Sequence, residues 1–90
     1  MSSIEERFED AVERVNVLPS RPSNAELLGL YGLYKQATAG DAAGKRPGAF
    51  DLRGRAKHDA WAARKGMSRE SAMQAYVAEV NRLEEASERD

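Results

Sequence analysis

The chain has 90 residues, of which 41% are hydrophobic and 32% are charged, and it has no cysteine. This length suits one domain with one modest core, and the lack of thiols excludes disulfides, Cys nucleophiles, thiolate zinc sites and iron–sulfur clusters. The net charge of -1 gives no general case for nucleic-acid binding. The acidic start lacks the apolar run of a secretory signal, and no run approaches the roughly 20 apolar residues that cross a bilayer. The sequence therefore predicts a cytoplasmic protein with no stable membrane insertion.

The charges are unevenly distributed along the chain. Residues 1–20 have a net charge of -3, residues 21–66 a net charge of +5, and residues 67–90 a net charge of -3. A basic middle between two acidic ends predicts an anionic partner that is held at a defined place.

Two helices are predicted in the first forty residues. Ser3 with Glu6, and Ser23 with Glu26, fit capping boxes, in which each side chain accepts a hydrogen bond from a backbone amide of the other. The first helix has apolar residues at helical spacing: Ile4, Phe8, Ala11, Val12 and Val15. The second has apolar residues on too many sides for a surface helix, which predicts burial against two neighbours before the helix ends at Gly40.

Two further helices follow a predicted loop at residues 40–50, where Gly and Pro cluster. A third helix is predicted from about Asp51 to Lys65, with its apolar side formed by Ala56, Ala60, Trp61 and Ala63. A fourth begins at Ser68 and has an apolar stripe of Met73, Tyr76, Val77, Val80 and Leu83. The charged end from Glu84 to Asp90 is predicted to fray. No segment alternates with period two, so the sequence predicts an all-α bundle.

One face of the second helix combines two phenols with an ammonium group. Tyr31, Tyr34, Lys35 and Thr38 lie at positions i, i+3, i+4 and i+7, which share a face. Such a face is able to stack a ring, donate hydrogen bonds and neutralise a phosphate. The same spacing also suits tyrosines that only pack, with a lysine that extends to water.

Cations on the third helix extend this candidate site. Arg53 and Lys57 lie at i and i+4, and with Lys35 they suit a phosphate, although a solvated charged face has the same pattern. Trp61 is either a core anchor or a pocket wall. His58 has no nucleophile or ligand set placed with it, so neither a catalytic triad nor a metal site is predicted.

These residues together carry a family resemblance. The run of residues 30–38, Leu-Tyr-Gly-Leu-Tyr-Lys-Gln-Ala-Thr, is followed in order by further matching fragments: Gly40-Asp41, Arg46-Pro47-Gly48, Asp51, Lys57, Ala60-Trp61, Lys65-Gly66-Met67-Ser68, Ala72, Tyr76 and Val80. The chain resembles the acyl-CoA-binding protein family over residues 4–86. The resemblance implies a four-helix bundle of up-down-down-up type, in a single domain over residues 1–90. It implies a non-enzymatic carrier that transports and buffers medium- to long-chain fatty acyl-CoA esters, with no cofactor; a monomer is the default expectation.

The resemblance also implies roles for individual residues in holding the CoA head. Tyr31 and Lys35 match positions that contact the 3′-phosphate, and Lys57 matches a further phosphate-binding lysine. Tyr34 matches a position near the adenine ring, and Tyr76 matches a tyrosine that contacts the ligand head.

Other implied contacts come from the first two helices. Ala11 and Val12 lie near family contacts to the head group, and Leu27 and Leu28 match apolar positions along the acyl groove. Arg53 takes the place of a usual lysine and keeps its charge, so it is retained as a ligand-binding residue. Three other positions depart from the family pattern: Asn16 replaces a lysine, Leu52 a larger aromatic near the adenine, and His58 a second tryptophan.

Three rival functions come from other classes. A helical protein–protein module would use the basic middle to dock an acidic partner, and the four-helix prediction suits it equally. A small acyl-CoA thioesterase or transferase lacks support because no nucleophile–base pair is present. Single-stranded nucleic-acid binding is the weakest of the three because the chain has an overall acidic balance.

Overall fold

The computed structural model describes residues 3–88, which form four helices and no β-strand. The helices are α1 (Ile4–Val15), α2 (Asn24–Ala39), α3 (Leu52–Ala62) and α4 (Arg69–Glu88). The prediction of an all-α protein is therefore confirmed for the described part of the chain.

Local capping sets the start of each of the first two helices. The Ser3 hydroxyl accepts from the amide of Glu6 at 3.1 Å, and Glu6 accepts in turn from the amide of Ser3 at 3.3 Å. Ser23 and Glu26 repeat this arrangement at 3.1 and 2.9 Å. Both capping boxes predicted from the sequence are present, so amides at these ends that lack an intrahelical partner are satisfied.

The third helix is shorter than predicted. It ends at Ala62 rather than Lys65. The amides of Arg64 and Lys65 bond to carbonyls three residues back, at 2.9 and 3.1 Å, which tightens the chain into a turn. Gly66 then takes a φ of 90°, a conformation that L side chains rarely adopt. The sequence also suggests Gly66 as the cap of this helix, but the C-cap is Ala63, and Gly66 instead ends the tight turn that follows the helix.

The charged end of α4 is helical through Glu88, although the sequence predicts fraying from Glu84. Leu83 is buried at the base of this segment. Arg14 of α1 forms an ion pair with Glu84 and donates to Asn81 at 3.2 Å. These contacts to α1 hold the last turns of the helix, and local composition does not reveal them. Arg89 and Asp90, also predicted to fray, lie outside the described residues.

The core lies where α2 and α4 pack together. α2 packs on both α3 and α4, and α1 packs on α4, so the predicted two-sided burial of α2 is confirmed. The buried apolar side chains are Phe8, Ala11, Leu30, Leu33, Ala37, Ala72, Tyr76, Val77, Val80 and Leu83. α3 contributes no buried residue, because its contact with α2 is a close backbone approach at Gly32 rather than a layer of large side chains.

A buried glutamine joins the loop after α2 to the turn before α4. Gln36 is 1% exposed, and its Nε2 donates to Asp41 Oδ1 at 2.9 Å and to the Met67 carbonyl at 2.8 Å. Asp41 also accepts from the Gly66 amide at 2.9 Å. This network fixes the path of the chain on both sides of α3.

Candidate functional site

A groove of about 390 Å³ lies between α2, α3 and the segment that leads into α2. Its lining residues are Arg21, Asn24, Leu27, Leu28, Tyr31, Arg53, Ala56 and Lys57. Three of them are cations and none is a carboxylate. We call this the basic groove. Its apolar floor beside unopposed positive charge suits a ligand that has both a hydrocarbon part and an anionic part.

Two of the predicted phosphate-binding residues meet in the basic groove. The Lys57 Nζ lies 5.2 Å from the centroid of the Tyr31 ring, which is a cation–π contact. Tyr31 is half-buried and Lys57 is exposed. The ring therefore holds the ammonium group beside the groove that both residues line, and Arg53 lines the same space.

A second groove of about 490 Å³ lies between α1, α2 and α4. Its lining residues are Glu5, Phe8, Glu9, Val12, Glu13, Tyr34, Ala37, Thr38 and Met73. Phe8 stacks on Tyr34 with ring centroids 6.0 Å apart. Three glutamates and no cation line this space, so we call it the acidic groove. Its charge disfavours phosphate, whereas its aromatic and apolar surface suits an uncharged ring.

The four residues predicted to share one face of α2 are divided in the structure. Tyr31 lines the basic groove, and Tyr34 and Thr38 line the acidic groove. Lys35 lines neither groove, and its Nζ lies 4.8 Å from the centroid of the Trp61 ring. The Trp61 Nε1 donates to the Gly40 carbonyl at 2.7 Å. Trp61 thus anchors α3 to the loop that follows α2, and the ammonium group of Lys35 lies over the face of its ring.

Two other predicted site residues are core residues. Tyr76 is 5% exposed and packs edge-on against Phe8, with centroids 5.1 Å apart. Burial, and then the proximity of Tyr34, raises the pKa of the Tyr76 phenol. Ala11 is completely buried, so its side chain is closed to a ligand, while the neighbouring Val12 lines the acidic groove.

The structure adds groove residues that the sequence analysis did not single out. Arg21 and Asn24 line the basic groove before and at the start of α2, and Ala56 forms part of its floor. Glu5, Glu9 and Glu13 line the acidic groove. The four-residue spacing of the glutamates is visible in the sequence and marks one helix face. Arg21 stands between two prolines, and no local pattern predicts where its side chain lies.

The three remaining departures from the family pattern, Asn16, Leu52 and His58, line neither groove. Leu52 is 75% exposed and lines neither groove. The His58 ring packs edge-on against the Trp61 ring, with centroids 6.4 Å apart. Asn16 is the C-cap of α1. Within residues 3–88, no group of three or more His, Cys, Asp or Glu side chains is arranged to hold a metal ion. None of the helices in this part of the chain has the length and apolar character needed to span a bilayer.

Comparisons with known proteins agree on one family. A family model described as "Acyl CoA binding protein" matches residues 5–80. The acyl-CoA-binding protein of Gossypium hirsutum is 49% identical over 84 residues, which cover 93% of this chain and 94% of that protein. The crystal structure of Oryza sativa acyl-CoA-binding protein 2 superposes with a TM-score of 0.93 at 44% identity and covers 98% of both chains.

A second crystal structure, of the acyl-CoA-binding protein from Moniliophthora perniciosa, has a TM-score of 0.87 at 40% identity and covers 97% of this chain and 84% of that one. These solved structures share the four-helix fold that the sequence resemblance implies. The fold, the match over residues 5–80 and the identity to full-length relatives together show that this chain belongs to the acyl-CoA-binding protein family.

Proposed function

We propose that this protein binds medium- to long-chain fatty acyl-CoA thioesters and carries and buffers them without chemical change. The observation that carries this proposal is the basic groove, in which Leu27, Leu28 and Ala56 lie beside Arg53 and Lys57. An acyl-CoA ester has the same combination of a hydrocarbon chain and anionic phosphates. Membership of the acyl-CoA-binding protein family supports the same conclusion.

The two grooves divide the CoA head between them by charge. In the proposal, the 3′-phosphate binds at Tyr31 and Lys57, with Lys35 and Arg53 as further cations, because charge-assisted hydrogen bonds to phosphate are about twice as strong as neutral ones. The adenine ring lies at Tyr34 and Val12, where the glutamates of the acidic groove repel phosphate but not an uncharged base. Tyr76 supports this region from the core, through Phe8, rather than by direct contact.

The acyl chain supplies the apolar part of the binding free energy. Burial of each methylene group is worth about 0.8 kcal/mol, so affinity rises about fourfold with each added methylene until the groove is full. The lining of the basic groove contains no Ser, Cys, His or carboxylate side chain, which are common nucleophiles and bases in the hydrolysis of acyl esters. A carrier of this kind shields the thioester from hydrolysis by burying the chain.

Calorimetric titration of delipidated protein tests this proposal. We expect tight one-to-one binding of a long-chain acyl-CoA, and far weaker binding of free CoA and of the free fatty acid, because each fragment fills only part of the site. Intact thioester after long incubation would separate a carrier from a thioesterase. A folded sample that does not bind the thioester would contradict the proposal and favour a module that docks an acidic protein.

A further inference from the structure

One cation of the basic groove has no part in the contacts proposed for CoA. Arg21 lines the groove together with Asn24, the first residue of α2. The contacts proposed for phosphate use Tyr31 and the cations of α2 and α3, whereas Arg21 lies in the segment before α2. Within residues 3–88, Arg21 forms no ion pair. Its guanidinium group is therefore available to an anionic group of a ligand.

The groove residues of α2 follow a fixed order along the helix. Asn24, Leu28 and Tyr31 line the groove from successive turns of one helix face. With a rise of about 1.5 Å per residue, Asn24 and Tyr31 are about 10 Å apart along the helix axis. Arg21 precedes Asn24 and so belongs to the end of the groove away from Tyr31. The apolar floor therefore lies between two cations, Lys57 over the Tyr31 ring and Arg21 at the other end.

The backbone at Arg21 is restricted before any ligand binds. Pro22 follows Arg21 directly and is buried. The residue before a proline is confined largely to extended conformations, because the proline ring clashes with the helical ones. Arg21 therefore loses little backbone freedom when it binds a ligand, which favours its use in recognition.

The carboxylates that are closest in sequence to the groove residues do not line the groove. Glu26 pairs at 2.7 Å with Arg82 of α4, whereas the groove lies between α2 and α3. Asp51 remains anionic while it caps α3 by accepting from the Gly54 amide at 2.9 Å, and it is not a lining residue either. The cations of the lining are therefore opposed by no carboxylate within the groove.

We propose that Arg21 adapts the basic groove to acyl-CoA thioesters whose hydrocarbon chain ends in a carboxylate, which are the esters of dicarboxylic fatty acids. This inference rests on the proposed function, in which the chain lies on Leu27 and Leu28 and the 3′-phosphate binds at Tyr31 and Lys57. The far end of the chain then reaches Arg21, whose planar guanidinium group binds a carboxylate through two parallel hydrogen bonds.

The diphosphate of CoA offers an arginine the same anionic chemistry. It is joined to the ribose that carries the 3′-phosphate, so it is expected near Tyr31 and Lys57 rather than about 10 Å away along α2. The leucine floor between the two ends of the groove therefore favours a carboxylate at the end of the chain as the group that Arg21 binds.

Titration calorimetry with a matched pair of esters tests this assignment. Dodecanoyl-CoA and dodecanedioyl-CoA have chains of equal length, which end in a methyl group and in a carboxylate. We expect the wild type to bind both esters with affinities within about tenfold of each other, because the ion pair with Arg21 offsets the loss of the methyl group. Arg21→Met is expected to weaken the binding of dodecanedioyl-CoA about three- to tenfold more than that of dodecanoyl-CoA. High salt is expected to reduce this difference.

Two further variants separate a specific contact from a change in net charge. Arg21→Lys keeps the charge but lacks the planar fork, so it is expected to retain part of the affinity for dodecanedioyl-CoA. Arg7 is exposed on α1 and lines neither groove, so Arg7→Met is expected to bind both esters like the wild type. Far-UV circular dichroism of each variant reports separately on the fold.

Failure of this inference is distinguishable from failure of the proposed function. Wild-type protein that binds neither ester would contradict both. Tight binding of dodecanoyl-CoA, with binding of dodecanedioyl-CoA weaker by more than about tenfold, would support the carrier and overturn the role of Arg21. Equal weakening of both esters in Arg21→Met would assign Arg21 to the diphosphate of CoA instead. The same difference between esters in Arg7→Met would show a general effect of charge and overturn the contact.

Discussion

At the scale of single residues, Lys57 is the group whose role is tested most directly. Its ammonium lies over Tyr31 at the basic groove. We expect Lys57→Met to weaken acyl-CoA binding by about 10- to 100-fold, since a hydrogen bond to a charged group is worth about 1.5–3 kcal/mol. Titration calorimetry with the intact ligand and with its 3′-dephospho form measures the effect. The loss is expected to be much smaller for the dephosphorylated ligand.

Lys45 provides the matched control for this experiment. It is an exposed lysine in the loop between α2 and α3 and lines neither groove, so Lys45→Met is expected to leave the solution affinity unchanged. If Lys57→Met loses the same affinity for both ligands, then Lys57 does not bind the 3′-phosphate.

Sequence reasoning finds most of the candidate ligand residues but not their division between two grooves. Tyr31 and Tyr34 are three residues apart, and they therefore point about 60° apart around the helix axis. That difference is small enough for a shared helix face and large enough for the rings to face different neighbours. Which neighbour each ring meets depends on where α1 and α3 pack, and no local spacing contains that information. The place of the Arg21 side chain in the basic groove is not predictable from local sequence for the same reason.

At the scale of helices, the contact between α2 and α3 depends on a glycine. A Cβ on Gly32 would lie 2.3 Å from the Ala60 carbonyl oxygen and 2.8 Å from its carbon. Backbone atoms cannot move aside as a flexible side chain can, so we expect Gly32→Ala to push α3 away and destabilise the protein by about 1–3 kcal/mol or more. Chemical denaturation measures this loss.

A second glycine in α2 provides a matched control, for which alanine is expected to increase the stability rather than lower it. A Cβ on Gly29 would meet nothing nearer than the Arg64 guanidinium at 4.0 Å. Gly29→Ala is therefore expected to stabilise the protein by about 0.5–1 kcal/mol, because alanine loses less backbone entropy in a helix. Stabilisation by both substitutions would show that α2 and α3 do not approach as closely as the structure indicates.

The connections around α3 predict a pH-dependent stability. Hydrogen bonds from the Gly66 amide and then from Gln36 hold the pKa of Asp41 below its ordinary value of 3.8. A carboxyl group whose pKa is lowered by folding stabilises the native state above its unfolded pKa, and this stability is lost as pH falls through the folded pKa.

We therefore expect Asp41→Asn to lower the melting temperature at neutral pH. The difference from the wild type is expected to shrink once the pH falls below the folded pKa of Asp41, because both chains then have an uncharged side chain at this position. Thermal unfolding over a series of acidic buffers measures this. A difference that is constant at all pH values would mean that the charge of Asp41 contributes nothing.

Helix starts are predictable from the sequence here, and some helix ends are not. A capping box such as Ser23 with Glu26 is complete within four residues, so its signal is local. The end of α4 depends on Arg14, which is far away in the chain and reaches Glu84 only once α1 has packed. The tight turn that shortens α3 likewise joins the network of Asp41 and Gly66. Long-range contacts of this kind have no counterpart in local periodicity.

At the scale of the whole molecule, the folded structure explains the uneven charge of the chain. The acidic first segment places Glu5, Glu9 and Glu13 along the acidic groove, and the basic middle places Arg53 and Lys57 in the basic groove. The sequence predicts an anionic partner from this distribution. The structure adds a second, oppositely charged surface, the acidic groove, which Tyr34 lines; in the proposed function the two surfaces orient a ligand that has charged and uncharged parts.

The order of helix packing predicts how a bound ligand changes the stability of the protein. The backbone of α1 approaches α4, and that of α3 approaches α2, while α1 meets α2 through the stacked rings of Phe8 and Tyr34. A ligand that occupies both grooves touches α1, α2 and α3 together and links the two outer helices. Ligand at about 100 times its dissociation constant stabilises the native state by about 2.7 kcal/mol.

We expect amide hydrogen exchange in α1 and α3 to slow most on addition of acyl-CoA, and free CoA at equal concentration to have a smaller effect. Protection restricted to α2 and α3 would instead place the whole ligand in the basic groove and leave the acidic groove without a role in binding.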